Sequence, residues 1–139
     1  MMRASYSSHV AMPFMLALGA VLVPAVNAQS PGFFSAAQAE RGAVLYAAQC
    51  AGCHGGDLGG GNRSPALTGD RFWVKWDNQI ARKLYSVIIT TMPANDPGNL
   101  SELEVSDALA FILRENGIPA GDKGIVQAKE LNAIVLHRP

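Results

Sequence analysis

Cysteine occurs twice in this chain of 139 residues, at Cys50 and Cys53, and a histidine follows the second cysteine directly. Two side chains three positions apart lie on one side of a helical turn, so both thiols can form thioethers with the vinyl groups on one edge of a porphyrin. The next residue, His54, then falls under the iron, for which imidazole is a suitable axial ligand. In a chain with a secretory leader, the run Cys50-Ala51-Gly52-Cys53-His54 predicts one covalently attached haem c with its Fe.

Two other uses of the cysteines fit the sequence less well. A redox-active dithiol is found close to a βαβ pattern, whereas the residues before Cys50 have helical spacing and no parallel-strand pattern surrounds them. A structural zinc site takes four ligands. Beyond Cys50, Cys53 and His54 the chain offers His137, since His9 lies in the leader. We therefore favour the haem site.

The first 28 residues have the features of a cleaved signal peptide. A basic residue, Arg3, precedes an apolar run from Val10 to Val26, and Val26 and Ala28 place small side chains at the two positions that signal peptidase reads. A retained membrane anchor is the alternative, but a run of 17 residues interrupted by two prolines lies at the lower end of the spanning range. We expect a periplasmic mature domain of residues 29–139, without an integral membrane span, and a weakly patterned tail at 121–139.

The charge of the chain is balanced, with 11 basic and 11 acidic residues. A protein that binds nucleic acid or an anionic membrane surface by electrostatic attraction carries an excess of Lys and Arg. We therefore expect no nucleic-acid partner.

The patterning predicts an all-α protein. Ser-x-x-Gln at 35–38 and Ser-x-x-Glu at 101–104 are capping boxes, which open helices over 36–49 and 102–116. The first of these helices leads directly into Cys50. It contains Gly42, and a mid-helix glycine, which costs about 1 kcal/mol relative to alanine, usually marks a close crossing by another backbone.

Between these two helices lie a loop, a short turn and a third helix. Five glycines at 55–61 exclude regular structure, and residues 70–77 favour a short irregular or helical turn. Residues 78–90 predict a better helix, whose apolar stripe is formed by Ile80, Leu84, Val87 and Ile88. In the tail, a short helical turn that packs on the body is expected at Leu131, Ile134 and Val135.

Met92 is the candidate for the second axial ligand. It is the single methionine left after removal of the leader, and it lies 38 residues beyond His54, enough for the chain to pass around a haem edge. A thioether ligand favours ferrous iron and raises the reduction potential. Pro93 holds Met92 out of helical geometry, which favours a ligand in a loop over a methionine that fills a gap in the core. His137 is the rival ligand.

These motifs resemble the small class I cytochromes c, in particular those associated with bacterial quinoprotein dehydrogenases. The resemblance covers most of the mature chain and is most specific at residues 50–54. Supporting stretches are Arg41 to Tyr46, Ser64 to Gly69, Phe72 to Trp76, Thr91 to Pro93 and Asp107 to Pro119. The resemblance implies the small cytochrome c fold, with three main helices around one covalently attached haem and the N- and C-terminal helices crossing.

The resemblance also implies roles for single residues. Gly42 and Tyr46 match the helix crossing, where Phe111 is the aromatic partner. The resemblance also implies three further cofactor-binding residues. The Pro65 carbonyl would accept a hydrogen bond from the His54 ring, and Leu67 would pack on the haem. The indole N–H of Trp76 would donate to a propionate. Ala94 stands where the family often has another proline, which affects the expected loop shape.

By this resemblance the chain is a monomeric electron carrier and not an enzyme. The implied donor is a quinoprotein (alcohol) dehydrogenase, and the implied acceptor is a terminal oxidase or another cytochrome. One alternative is a haem enzyme with a labile sixth ligand that reacts with peroxide or a small gas. Another is a cytochrome subunit held permanently in a membrane-bound dehydrogenase or oxidase complex.

The expected cleavage site gives a direct prediction. Protein purified from the periplasm should begin at Gln29, because small residues precede that position. Its intact mass should equal residues 29–139 plus one haem. A chain that keeps its leader and fractionates with membranes would contradict this and favour the permanent subunit.

Overall fold

The structure is a computed structural model and describes residue 1 and residues 32–139. The predicted signal peptide and the cleavage site after Ala28 lie outside the described residues. Within residues 32–139, no helix is long and apolar enough to cross a membrane.

The two longest helices are α1 (Ala36–Gln49) and α5 (Glu102–Glu115), and reciprocal caps open both. The Gln38 amide donates to the Ser35 hydroxyl at 3.2 Å, and the Ser35 amide donates to the Gln38 side chain at 3.3 Å. At α5 the Ser101 hydroxyl donates to Glu104 at 2.7 Å and the Ser101 amide donates to it at 2.8 Å, and these hydrogen bonds hold the pKa of that carboxyl below its usual value. Both predicted capping boxes are confirmed.

Three shorter α-helices and one 3-10 helix complete the described chain. They are α2 (Ala51–His54), α3 (Gly69–Trp76), α4 (Ala81–Thr91) and the 3-10 helix Ala128–Ala133. Extended pairing among residues 32–139 is limited to two isolated bridges. The all-α prediction is confirmed, and α1, α4 and α5 are its three main helices.

The start of α4 corrects the prediction of a helix from Asn78. Asn78 has a φ of +58°, and its amide donates to the Leu136 carbonyl at 2.8 Å. Ile80 is extended and forms a bridge with Val135. The pairing with the tail therefore takes Ile80 out of the helical stripe and leaves it 37 % exposed. The other three stripe residues lie in the helix.

The crossing of α1 and α5 is closest at Gly42. A Cβ atom on Gly42 would lie 1.9 Å from the carbonyl oxygen of Asp107, so no larger residue fits without separating the helices. One turn further on, the rings of Tyr46 and Phe111 are 5.1 Å apart. Arg41 and Asp107 add a two-pronged ion pair at 2.6 and 2.7 Å across the crossing. The predicted crossing and its glycine are confirmed.

The tail packs along the body of the domain. The amide of Ala81 donates to Ile134 at 2.9 Å, and the Leu136 amide donates to Gln79 at 2.8 Å. Leu131 in the 3-10 helix is 1 % exposed, which confirms a short helical turn on the body. Ile134 and Val135 were expected in that turn, but they follow it in extended geometry because they pair with the start of α4.

The close crossing predicts the effect of Gly42→Ala. Alanine is the better helix former by about 1 kcal/mol, but its methyl group would overlap the Asp107 backbone. We expect unfolding experiments to give a net loss of about 1–3 kcal/mol. Gly56→Ala is the control, because nothing lies within 4 Å of a Cβ at Gly56. Equal stability of the two variants would contradict the crossing.

Candidate functional site

The cysteine motif forms the turn that follows α1. Cys50 is the C-terminal cap of α1, and its carbonyl accepts from the amides of Cys53 at 3.1 Å and His54 at 2.9 Å. Both cysteines carry free thiols; Cys50 is half-buried and Cys53 is exposed. Burial raises the pKa of the Cys50 thiol, and the neighbouring Cys53 raises it further. His54 is 7 % exposed, so the motif presents a buried imidazole beside two thiols.

The glycine-rich loop folds the chain back onto His54. Gly60 has a φ of +83°, and a Cβ there would lie 2.7 Å from the amide nitrogen of Ala66. Its own amide donates to the His54 carbonyl at 2.8 Å, and the Leu67 amide donates to Leu58 at 2.8 Å. The conformational freedom of glycine at this position thus allows the Pro65 segment to lie against the motif.

The hydrogen bond between His54 and Pro65 determines which ring nitrogen can bind a metal. His54 Nδ1 and the Pro65 carbonyl oxygen are 2.9 Å apart. A carbonyl oxygen can only accept, so Nδ1 carries the hydrogen and Nε2 is left with a free lone pair. The contact that the resemblance implied is therefore present. Its role at a bound iron stays a prediction.

Tyr46 links the end of α1 to the same loop. Its hydroxyl donates to the Gly55 carbonyl at 2.6 Å. Burial raises the pKa of Tyr46 to about 12, with smaller contributions from Cys50 and Asp57. The hydroxyl therefore stays protonated and able to donate through the physiological range. The sequence analysis placed Tyr46 at the helix crossing but missed this hydrogen bond.

All seven residues predicted to hold the cofactor line one cavity, with about 210 Å³ open to the centres of water molecules. They are Cys50, Cys53, His54, Pro65, Leu67, Trp76 and Met92. Apolar residues of α4 and α5 and of the segment between them complete its wall: Leu84, Val87, Ile88, Leu100, Ala108 and Ile112. The α4 members belong to the stripe seen in the sequence, but that stripe alone did not indicate a cofactor.

Met92 enters the cavity from the end of α4. It is the C-terminal cap of that helix, in extended geometry with φ −121° and ψ 148°, and it is half-buried. The prediction that Met92 leaves the helix before Pro93 is confirmed, while its coordination of iron stays a prediction. His137, the rival ligand, is exposed in the tail and does not line the cavity.

The donor set of the cavity fits a covalently attached haem. It combines two thiols, an imidazole with a free Nε2 and a thioether, within apolar walls. Among the described residues, three cationic side chains also line it, Arg63, Arg71 and Lys75, and no carboxylate does. This charge suits a ligand that carries two carboxylates, and the sequence analysis missed it. Residues 32–139 contain no group of three or more His, Cys, Asp and Glu side chains that could hold a metal ion.

A family model decides the classification. Residues 37–112 match the model described as cytochrome c oxidase, cbb3-type, subunit III. The chain belongs to this family of c-type cytochrome domains. The matched residues include the whole cysteine motif, Met92 and most of α5. The family implies that this c-type cytochrome binds haem c and transfers electrons.

A solved structure shares the fold of this cytochrome. It is the crystal structure of the sulfane dehydrogenase SoxCD from Paracoccus pantotrophus, with a TM-score of 0.54. The two chains are 23 % identical, and the match covers 88 % of this chain and 68 % of that one. At this identity the match shows the fold. No curated protein sequence matches this chain significantly.

Replacement of the two cysteines tests haem attachment. Cys50→Ala and Cys53→Ala should each impair covalent attachment, and the double variant should abolish it, because these are the two thiols of the chain. Haem-stained denaturing gels of the periplasmic fraction give the measurement. Met92→Ala is the control, since it leaves both thiols in place and should stain fully. Full covalent staining of the double variant would exclude the thioether site.

Proposed function

We propose that this cytochrome is a periplasmic mono-haem electron carrier with His54 and Met92 as axial ligands. It takes single electrons from a quinoprotein (alcohol) dehydrogenase and passes them to a terminal oxidase or another cytochrome. The observation that carries the proposal is the joint lining of one apolar cavity by the cysteine motif and Met92. The donor rests on the resemblance of the sequence to cytochromes associated with such dehydrogenases.

Six of the predicted cofactor-binding residues would hold the haem in different ways. Cys50 and Cys53 would attach it, and His54 would bind the iron through Nε2 while Pro65 holds the other ring nitrogen. Leu67 would pack against it. The indole N–H of Trp76, which is 7 % exposed, would donate to a propionate.

The cationic side chains at the cavity complement the propionates. Arg71 and Lys75 are one turn apart on α3, and Arg63 comes from the loop before it. Lys75 Nζ lies 4.8 Å from the centre of the Trp76 ring, so charge and indole donor meet on the same side of the helix. The three cations offset the negative charge of two carboxylates in a largely apolar site.

The bound haem supplies an iron that gains and loses one electron. His54 and Met92 would both stay bound to the iron in its two oxidation states, so that few atoms would rearrange when the charge changes. The apolar wall from α4 and α5 excludes water, and the thioether of Met92 favours the ferrous state. The exposed Cys53 lies at the rim of the cavity, where a redox partner can approach.

An enzymatic function would need an open sixth position and a distal His or Arg. The sequence near Met92 offers Thr90, Thr91, Asn95 and Asp96. Asn95 lines the cavity, and so do the arginines already assigned to the propionates. The four residues Thr90, Thr91, Asn95 and Asp96 include no His or Arg, and a Met92 thioether bound to the iron would exclude an incoming ligand, so the carrier is favoured.

A permanent subunit of a larger complex is the second candidate. It is favoured by the comparisons, because the matching family is named for an oxidase subunit and the matching structure is that of a dehydrogenase. The native mass of the purified periplasmic protein separates the two. A mass equal to residues 29–139 plus one haem supports the free carrier, and co-purification with a dehydrogenase or an oxidase supports the subunit.

Met92→Ala tests the axial ligand and the carrier function together. Haem should stay attached, because Cys50 and Cys53 are intact, while the sixth position opens. The ferric variant should lose the near-infrared band of sulfur-ligated haem and bind imidazole or cyanide more readily. Its midpoint potential should fall, because a ligand that favours ferrous iron is gone. Absorption spectra and a redox titration measure these changes.

Val87→Ala provides the control for this experiment. Val87 lines the same cavity and is half-buried, but it carries no ligand atom. This variant should keep the sulfur band and its resistance to exogenous ligands. If the wild type already binds exogenous ligands freely and Met92→Ala changes neither spectrum nor potential, Met92 is not a ligand and the enzyme replaces the carrier.

A further inference from the structure

Asn116 places a buried amide between α5 and the segment that carries Pro65. The residue caps α5 and is 8 % exposed. Its Nδ2 group donates to the Leu67 carbonyl at 2.7 Å and to the Ile112 carbonyl at 2.8 Å. Two carbonyl oxygens around one atom require an NH₂ group there, since the opposite orientation would set oxygen against oxygen. The neighbours therefore fix the orientation of the amide.

The orientation of the Asn116 amide leaves one of its polar atoms without a partner, which a helix cap by itself does not require. Oδ1 of Asn116 is buried and has no hydrogen-bond partner in the part of the chain that the structure describes. A buried acceptor without a partner is unfavourable. The contact to Leu67, which lies 49 positions away in the sequence, is the long-range bond that this arrangement maintains.

Leu67 connects Asn116 with the histidine of the motif. Pro65, two residues before Leu67, accepts the hydrogen bond from His54 Nδ1. Pro65 has no amide hydrogen of its own, so bonds made by its neighbours must hold its carbonyl in place. On one side Ser64 accepts from the Gly61 amide at 2.9 Å, and on the other side Leu67 is held by the loop and by Asn116.

We propose that Asn116 is a positioning residue for His54. It holds the Leu67 carbonyl, and through this segment it keeps the Pro65 carbonyl against the Nδ1–H of the imidazole. The inference rests on the proposed function, because it takes His54 as an iron ligand. A firm hydrogen bond at Nδ1 makes the imidazole a stronger donor to the iron, which stabilises the ferric state. Loss of Asn116 should therefore loosen that bond and raise the midpoint potential.

The test uses the haem-loaded protein with Asn116→Leu and Asn116→Ala. Proton NMR of the reduced protein follows hydrogen–deuterium exchange at His54 Nδ1, and a redox titration gives the midpoint potential. Exchange should be several-fold faster than in the wild type, and the potential should shift upward, while histidine ligation persists. Asn116→Gln keeps an amide donor and should give intermediate values. If Asn116→Leu and Asn116→Ala do not accumulate as folded protein, Asn116→Gln is compared with the wild type instead.

Gln38→Leu is the matched control. Gln38 also carries a buried amide, which donates to the Ile125 carbonyl at 3.0 Å and accepts from the Ile125 amide at 2.8 Å. Gln38 does not line the cavity. This variant should lose stability and keep the wild-type exchange rate and potential. If the Asn116 variants change these two quantities no more than Gln38→Leu does, the proposal is wrong. A wild type without covalent haem or histidine ligation would instead overturn the proposed function.

Discussion

The contact between the backbones of α1 and α5 at Gly42 sets the distances on which the cavity depends. The C-terminal end of α1 leads into Cys50, and α5 contributes Ala108 and Ile112 to the wall of the same cavity. A side chain at Gly42 would push these two helices apart, because its Cβ would overlap the Asp107 carbonyl. The cysteine motif and the part of the cavity wall that α5 provides would then move apart. A glycine in the middle of a helix, unfavourable by itself, thus fixes the width of a site that begins eight residues later.

The second constraint is the orientation of His54. The imidazole is held by a backbone carbonyl at 2.9 Å and not by a carboxylate, so no ionisable side chain bonds to it directly. The carbonyl depends on a loop in which Gly60 takes a left-handed conformation to bring the chain close. Tyr46 ties the same loop to α1 through its hydrogen bond to Gly55. The orientation of His54 is therefore a property of loop packing, to which α1 contributes through Tyr46 and the end of α5 through Asn116.

The sequence was most informative where the chemistry is local. The capping boxes at Ser35 and Ser101 located both long helices, because a cap depends on side chains three positions apart. The cysteine motif located the turn for the same reason. The start of α4 was wrong by three residues, since the tail that displaces Asn78 lies more than fifty positions away. The cations Arg63, Arg71 and Lys75 were missed because polar residues in loops and short helices give no periodic signal of facing a cavity.

The cysteine motif and Met92 reach the cavity through parts of the chain that differ in length and in burial. The thiols, His54 and Pro65 lie within 16 consecutive residues and are joined by short-range bonds, whereas Met92 reaches the cavity through α4 and a segment, 94–99, that is exposed throughout. Local opening of that segment would disturb few buried contacts and so needs less free energy than global unfolding. In the proposed haem site, covalent attachment and the contact to His54 would survive such an opening, whereas a contact to the Met92 thioether would not. We therefore expect the Met92 side of the cavity to open at a lower free energy than the side formed by the cysteine motif.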